Sequence, residues 1–82
     1  MEDYIVYMLE CSDGTLYTGI ATDVARRVEE HNSGTKGAKY TKTRRPVKLV
    51  YSEPQPSRAD AQKREYALKQ LTRAQKMALT KT

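Results

Sequence analysis

Tyr4-Ile5-Val6-Tyr7-Met8-Leu9-Glu10-Cys11, the break Ser12-Asp13-Gly14 and the resumption Leu16-Tyr17-Thr18-Gly19-Ile20 decide the fold. Both runs are rich in β-branched and aromatic residues, and the break between them carries turn residues, so the stretch predicts a β-hairpin. Its register matters, because a slip of one residue sends every side chain to the opposite face. Two turns are compatible with the residues. A two-residue Asp13-Gly14 turn pairs Leu9 with Thr18 and leaves Tyr7 and Tyr17 on opposite faces. A three-residue loop, Ser12-Asp13-Gly14, with Gly14 in the left-handed bulge position, pairs Leu9 with Tyr17 and Tyr7 with Gly19. The second is favoured: it puts both tyrosines on one face, and it sets Tyr7 opposite a residue with no side chain, leaving room above Gly19 for another group.

Downstream, Thr22-Asp23 supplies an N-cap and a first-turn acid for a helix over Val24 to His31, which Asn32-Ser33-Gly34 ends. At about 100° per residue, Val24, Arg27, Val28 and His31 share one arc while Arg26, Glu29 and Glu30 point away. Two ionisable residues on an apolar arc predict that Arg27 and His31 sit at the rim of the core with polar partners. Thr35 to Arg45 reads as loop with one helical turn around Lys39 to Thr41, and Val47 to Tyr51 as a third strand bounded by Pro54 and Pro56. Ser57 caps a further helix to about Leu71, with Ala61, Ala67, Leu68 and Leu71 on its buried arc, Glu65 at its edge and Tyr66 facing away. Thr72 caps a last helix whose Met77 and Ala78 close the core.

Eighty-two residues close one small core, so positions 1–82 are expected to form a single domain. Six tyrosines and no Trp or Phe make up its aromatic content, and each buried hydroxyl needs a partner. The net charge is +5, and it is segregated: from His31 to Ser52 there is no acid, while Lys36, Lys39, Lys42, Arg44, Arg45 and Lys48 fall inside that window. Such a block suits a polyanion, although a solvated basic loop has the same composition. One cysteine, Cys11, excludes an internal disulfide and a multi-cysteine metal site. The acidic N-terminus and short apolar runs predict neither signal peptide nor membrane span, and hence a soluble, cytoplasmic protein.

Ile5-Val6-Tyr7, then Tyr17-Thr18-Gly19, then Arg27, His31 and, on a later helix, Glu65 follow one another at spacings that resemble the GIY-YIG nuclease domain. The likeness extends over nearly the whole chain. Leu16 to Ile20, His31-Asn32-Ser33-Gly34, Gly37-Ala38-Lys39-Tyr40-Thr41, Arg44-Arg45-Pro46-Val47 and Tyr51-Ser52-Glu53 resemble the small stand-alone YhbQ/YazA-like subfamily. Two positions depart from the family pattern: Ile5 stands where the first motif has glycine, and Thr18 where the second has isoleucine. The resemblance implies an α+β fold of the α/β sandwich type, a three-stranded antiparallel sheet flanked by helices in the order β-β-α-(short α)-β-α-α.

It also implies hydrolysis of a phosphodiester by an activated water with one divalent cation, Mg²⁺ or Mn²⁺, and the residue types suit that chemistry. Glu65 is a hard oxygen ligand, and Mg²⁺ commonly takes one or two protein carboxylates. Arg27 presents a planar fork for phosphate oxygens. His31 can hold a phosphate oxygen, orient a tyrosine or move a proton. Tyr7 and Tyr17 line the other wall, and one phenol would take the water's proton, a role that needs its pKa lowered from about 10. Taken singly, each residue has an ordinary reading: sheet aromatics, an Arg27–Glu30 ion pair, a helix C-terminal histidine, a solvated Glu65. Together they point to an endonuclease acting on DNA, structure-selective or weakly sequence-selective, with the Lys36 to Lys48 block on phosphates. A nucleic-acid-binding module without catalysis, or a nuclease subunit that needs a protein partner, fits the same residues.

Overall fold

The computed structural model describes residues 3–33 and 39–80. Its elements are β1 (Tyr4–Glu10), β2 (Leu16–Ala21), α1 (Val24–Ser33), α2 (Lys39–Lys42), β3 (Lys48–Gln55), α3 (Arg58–Lys69) and α4 (Arg73–Thr80), the predicted order. The sheet is antiparallel with β1 in the centre, ordered β2-β1-β3. The hairpin takes the three-residue loop: Leu9 pairs with Tyr17 and Tyr7 with Gly19. Gly14 adopts φ +83°, the left-handed conformation that suits glycine. Asp13 fastens the turn, its Oδ1 accepting from the Thr15 amide (3.1 Å) and hydroxyl (2.7 Å).

Alternation along β1 divides the core into two layers. Tyr7, Leu9 and Cys11 face α1, packing with Val47, Tyr17, Ala21, Val24 and Val28. Val6 faces the other way, onto Ala61 and Leu68 of α3, with Tyr4, Ile20, Tyr51, Leu71 and Leu79 around them. The helices are capped as their sequences dictate. Asp23 accepts from the Arg26 amide (3.1 Å) and Ser57 from that of Asp60 (3.1 Å). Thr72 and Gln75 exchange bonds in a capping box, at 2.9 and 3.2 Å.

Three expectations need correction. The third strand continues through Pro54 to Gln55; β3 is an edge strand, where alternate amides point away from the sheet and a missing N–H is tolerated. Ala67 is exposed, because the stripe α3 buries is narrow and runs through Ala61 and Leu68. On α4 it is Leu79 that packs on the core, while Ala78 is exposed and Met77 half-buried. No helix among the described residues is long and apolar enough to cross a membrane.

Thr18 is buried in mid-strand and its Oγ1 has no hydrogen-bond partner among the described residues. A buried hydroxyl without a partner costs about 1–3 kcal/mol. Thr18→Val keeps the shape and removes that cost, so the variant should unfold at equal or higher urea concentration than the parent. A lower midpoint would mean that the hydroxyl is satisfied after all.

Candidate active site

Tyr7 rises from β1 on the α1 side and leans over β2. A Cβ built at Gly19 would stand 2.6 Å from the Tyr7 hydroxyl, 2.7 Å from the ring carbon that bears it and 3.1 Å from the Tyr17 ring. The space expected above Gly19 is therefore filled by Tyr7 itself. Gly19 is accordingly not a turn residue, as Gly14 is; it lies in mid-strand, and its missing side chain admits a close approach.

His31 is fully buried, not at the rim where sequence reasoning put it. Both ring nitrogens are satisfied: Nε2 lies 3.0 Å from the Tyr7 hydroxyl, and Nδ1 lies 2.7 Å from Thr41 Oγ1. In one tautomer the phenol donates to Nε2 and Nδ1–H donates to Thr41. Thr41, itself fully buried, is the member of the cluster that sequence reasoning missed. Its signal was present in the Gly37-to-Thr41 stretch and the brief α2 around it. Tyr17 completes the group, its ring centroid 5.1 Å from that of His31 and 6.4 Å from that of Tyr7.

The end of α1 is braced where His31 sits. Asn32 makes two bonds to Val47, donating to its carbonyl at 3.0 Å and accepting from its amide at 2.7 Å. Arg45 Nε donates to the His31 carbonyl at 2.6 Å. Arg27, one turn before His31, is held by Glu30 at 3.0 Å, and its positive charge acts to lower the Tyr7 pKa. Glu30, which the helix-face reading turned away from Arg27, is instead shared between Arg27 and Arg26, the latter at 3.3 Å.

Burial is the main force on the phenols. It pushes the Tyr7 pKa up to about 12, with Tyr17 and Glu65 adding to the rise and Arg27 opposing it. Burial likewise raises Tyr17, with Arg27 opposing and Glu65 reinforcing. His31 is pushed below its usual value by burial first and by Arg27 and Arg45, against Glu30.

Glu65 comes from α3, in the opposite layer, yet its charge is felt by both phenols. Its nearest ionic partner among the described residues is Lys69, at 3.5 Å. The neighbouring acids are more heavily engaged. Glu30 holds two arginines, and Glu53 accepts from Tyr51, from Gln55 at 2.6 Å and from Arg64 Nε at 3.0 Å on each oxygen. The Glu53–Arg64 pair ties α3 to β3 one residue before Glu65. No group of three or more His, Cys, Asp or Glu able to hold a metal occurs among the described residues. A lone, partly exposed carboxylate is a donor set that fits a hard divalent ion taking its remaining oxygens from water and phosphate.

The basic block is partly absorbed by the fold. Arg44 pairs with Asp13 at 3.0 Å and Lys48 with Glu10 at 3.8 Å, both acids supplied by the hairpin, and Arg45 braces His31. Lys42 is exposed and in no ion pair with another described residue. Lys36 and the side chain of Lys39 lie outside the described residues. A larger hollow of about 430 Å³, between β3 and Leu79 and Thr80 of α4, lies at the opposite sheet edge from β2 and contains none of these groups.

Residues 3–78 match the family model of the GIY-YIG catalytic domain. The chain is 58% identical over 78 residues to a UPF0213 protein of Desulfotalea psychrophila, covering 95% of this chain and 71% of that one. To a UPF0213 protein of Staphylococcus aureus it is 56% identical over 81 residues, covering 99% and 98%. The solution NMR structure of a UPF0213 protein from Bacillus halodurans is similar, with TM-score 0.60 and 46% identity over 96% of this chain and 83% of that one. That of a protein from E. faecalis gives TM-score 0.65 and 42% identity over 99% and 86%.

His31 is the only histidine, so its ring titration can be read without ambiguity by NMR. A midpoint below the ordinary value of about 6.5 is expected. The unfolded chain then binds the proton more readily than the folded one. Stability from this group is full above about pH 6.5 and is lost as the pH falls through the folded value. Urea midpoints should drop on acidification, and less steeply for His31→Gln. A folded-state midpoint at or above the ordinary value would overturn this.

Proposed function

We propose that this chain, which belongs to the GIY-YIG catalytic domain family, is a metal-dependent endonuclease hydrolysing phosphodiester bonds of DNA, structure-selective or weakly sequence-selective. The observation that carries this reading is the gathering of Tyr7, Tyr17, Arg27 and His31 in one cluster whose phenols also feel the Glu65 carboxylate.

In this reading Glu65 holds the cation, Mg²⁺ or Mn²⁺. When bound, the cation neutralises phosphate charge and acidifies nearby water. Arg27 turns its fork from Glu30 to the phosphate oxygens and stabilises the charge that grows on them. Tyr7 receives the proton of the attacking water at its oxygen while its own proton passes to His31 Nε2, the two atoms being 3.0 Å apart. The phenol stays neutral throughout, which reconciles its work with a pKa near 12. His31 suits the acceptor's part because its depressed pKa leaves it neutral, and Thr41 at Nδ1 steadies the imidazolium that forms. Tyr17 closes the wall beside them. Lys42 and Lys48 supply phosphate contacts that position the substrate without reading its bases.

One observation favours a second reading. Tyr7 and His31 are almost without solvent contact, as suits a nucleic-acid-binding module with little or no catalysis, or a nuclease subunit completed by a protein partner.

Plasmid nicking and branched-DNA cleavage with Mg²⁺ or Mn²⁺ separate these readings. The parent should cleave, Arg27→Ala should lose about 10²-fold or more in rate, and Glu65→Ala should lose activity while still binding DNA. Should the parent cleave no structured substrate yet bind DNA with strong salt dependence, the binding module replaces the enzyme.

Gly19→Ala supplies an independent check, since its methyl group would force Tyr7 off His31. Cleavage should fall steeply with the fold retained. Full activity would remove Tyr7 from the mechanism.

A further inference from the structure

We infer that Lys69, Arg73 and Lys76, along the β2 edge, form a second track for the phosphodiester backbone, leading away from the candidate active site. The inference rests on the nucleic-acid part of the function proposed above, but not on catalysis.

The sequence carries a signal that the first basic window overshadowed. From Tyr66 to Thr82 there is again no acid, while Lys69, Arg73 and Lys76 recur along it. The fold turns these three toward one place. A shallow cleft of about 250 Å³ is lined by Leu16, Tyr17, Thr18, Lys69 and Lys76. A second hollow of about 170 Å³ is lined by Thr15, Leu16, Arg73 and Lys76. Leu16 and Lys76 line both, so the two hollows adjoin along β2.

These hollows start at the candidate site. Tyr17 lines the cleft, and Lys69 Nζ stands 3.5 Å from Glu65 Oε2. They end at the hairpin turn, where the Arg73 guanidinium donates to the Gly14 carbonyl. That bond fixes the side chain without neutralising it. Across the same turn Arg44 is paired with Asp13, so the strip meets the first basic block there. Among the described residues neither Arg73 nor Lys76 enters an ion pair, and α4 carries no acid. Three residues apart on one helix, the two cations neighbour each other, and their mutual repulsion is relieved by a polyanion between them.

The chemistry points to backbone, not to bases. Arg and Lys contact phosphate oxygens without sequence information, and the neighbouring amide, Gln75, is engaged in the capping box with Thr72. The expected ligand is the sugar-phosphate strand flanking the scissile bond.

The test is the salt dependence of binding, measured in EDTA by fluorescence anisotropy on a labelled branched DNA duplex. Each lost phosphate contact should flatten the slope of log affinity against log salt by about 0.9 on duplex DNA. Lys76→Gln should lose about one such step, Lys69→Gln with Lys76→Gln about two, and Lys76→Arg none. An unchanged slope in the double variant, with the parent binding normally, would overturn the track and leave the nuclease reading standing. If the parent binds no nucleic acid, both readings fall together.

Discussion

The hydrogen bond between the Tyr7 hydroxyl and His31 Nε2 is the constraint around which this small domain is arranged. A phenol and an imidazole, both essentially without solvent contact, would each be a liability in a core of this size. Paired at 3.0 Å, they satisfy one another. Leaving either orphaned would cost about 1–3 kcal/mol, a serious fraction of the stability of so short a chain. Gly19 has no side chain because the Tyr7 ring must pass there, and Thr41 is buried because the far nitrogen needs an oxygen. Asn32 and Arg45 brace the same helix end from the other side.

Electrostatics then distribute roles among groups that would otherwise be alike. The arginines near the cluster differ in what restrains them: Arg45 serves a backbone carbonyl, Arg44 the turn, and Arg27 a carboxylate that a phosphate can displace. Among the carboxylates the same sorting applies. Glu53 is consumed by Tyr51, Gln55 and Arg64, and Glu30 by two arginines, while among the described residues Glu65 is paired with Lys69 at longer range. Under the function proposed above, Arg27 and Glu65 are the groups that would turn from these partners to a ligand.

Much of this was legible in the residues themselves. The hairpin register followed from Ser12-Asp13-Gly14, because only the bulged turn places both tyrosines on one face, and the caps at Asp23, Ser57 and Thr72 marked three helix starts. What escaped was whatever depends on contacts distant in sequence. His31 looked like a rim residue because its partners, Tyr7 and Thr41, come from two other elements. The block from Lys36 to Lys48 looked free of acids because Asp13 and Glu10 reach it only through the fold. Pro54 looked like a strand end because an edge position cannot be told from local sequence. The basic residues of α4 drew no notice, being too widely spaced to read as a block.

The Glu53–Arg64 tie has one more consequence. Tyr7, Tyr17 and His31 belong to the layer under α1, whereas Glu65 arrives on α3 from the other layer, and that tie, together with Ala61 and Leu68, fastens α3 to the sheet. The position of the carboxylate relative to the phenols is thus set by contacts that the phenols themselves do not make.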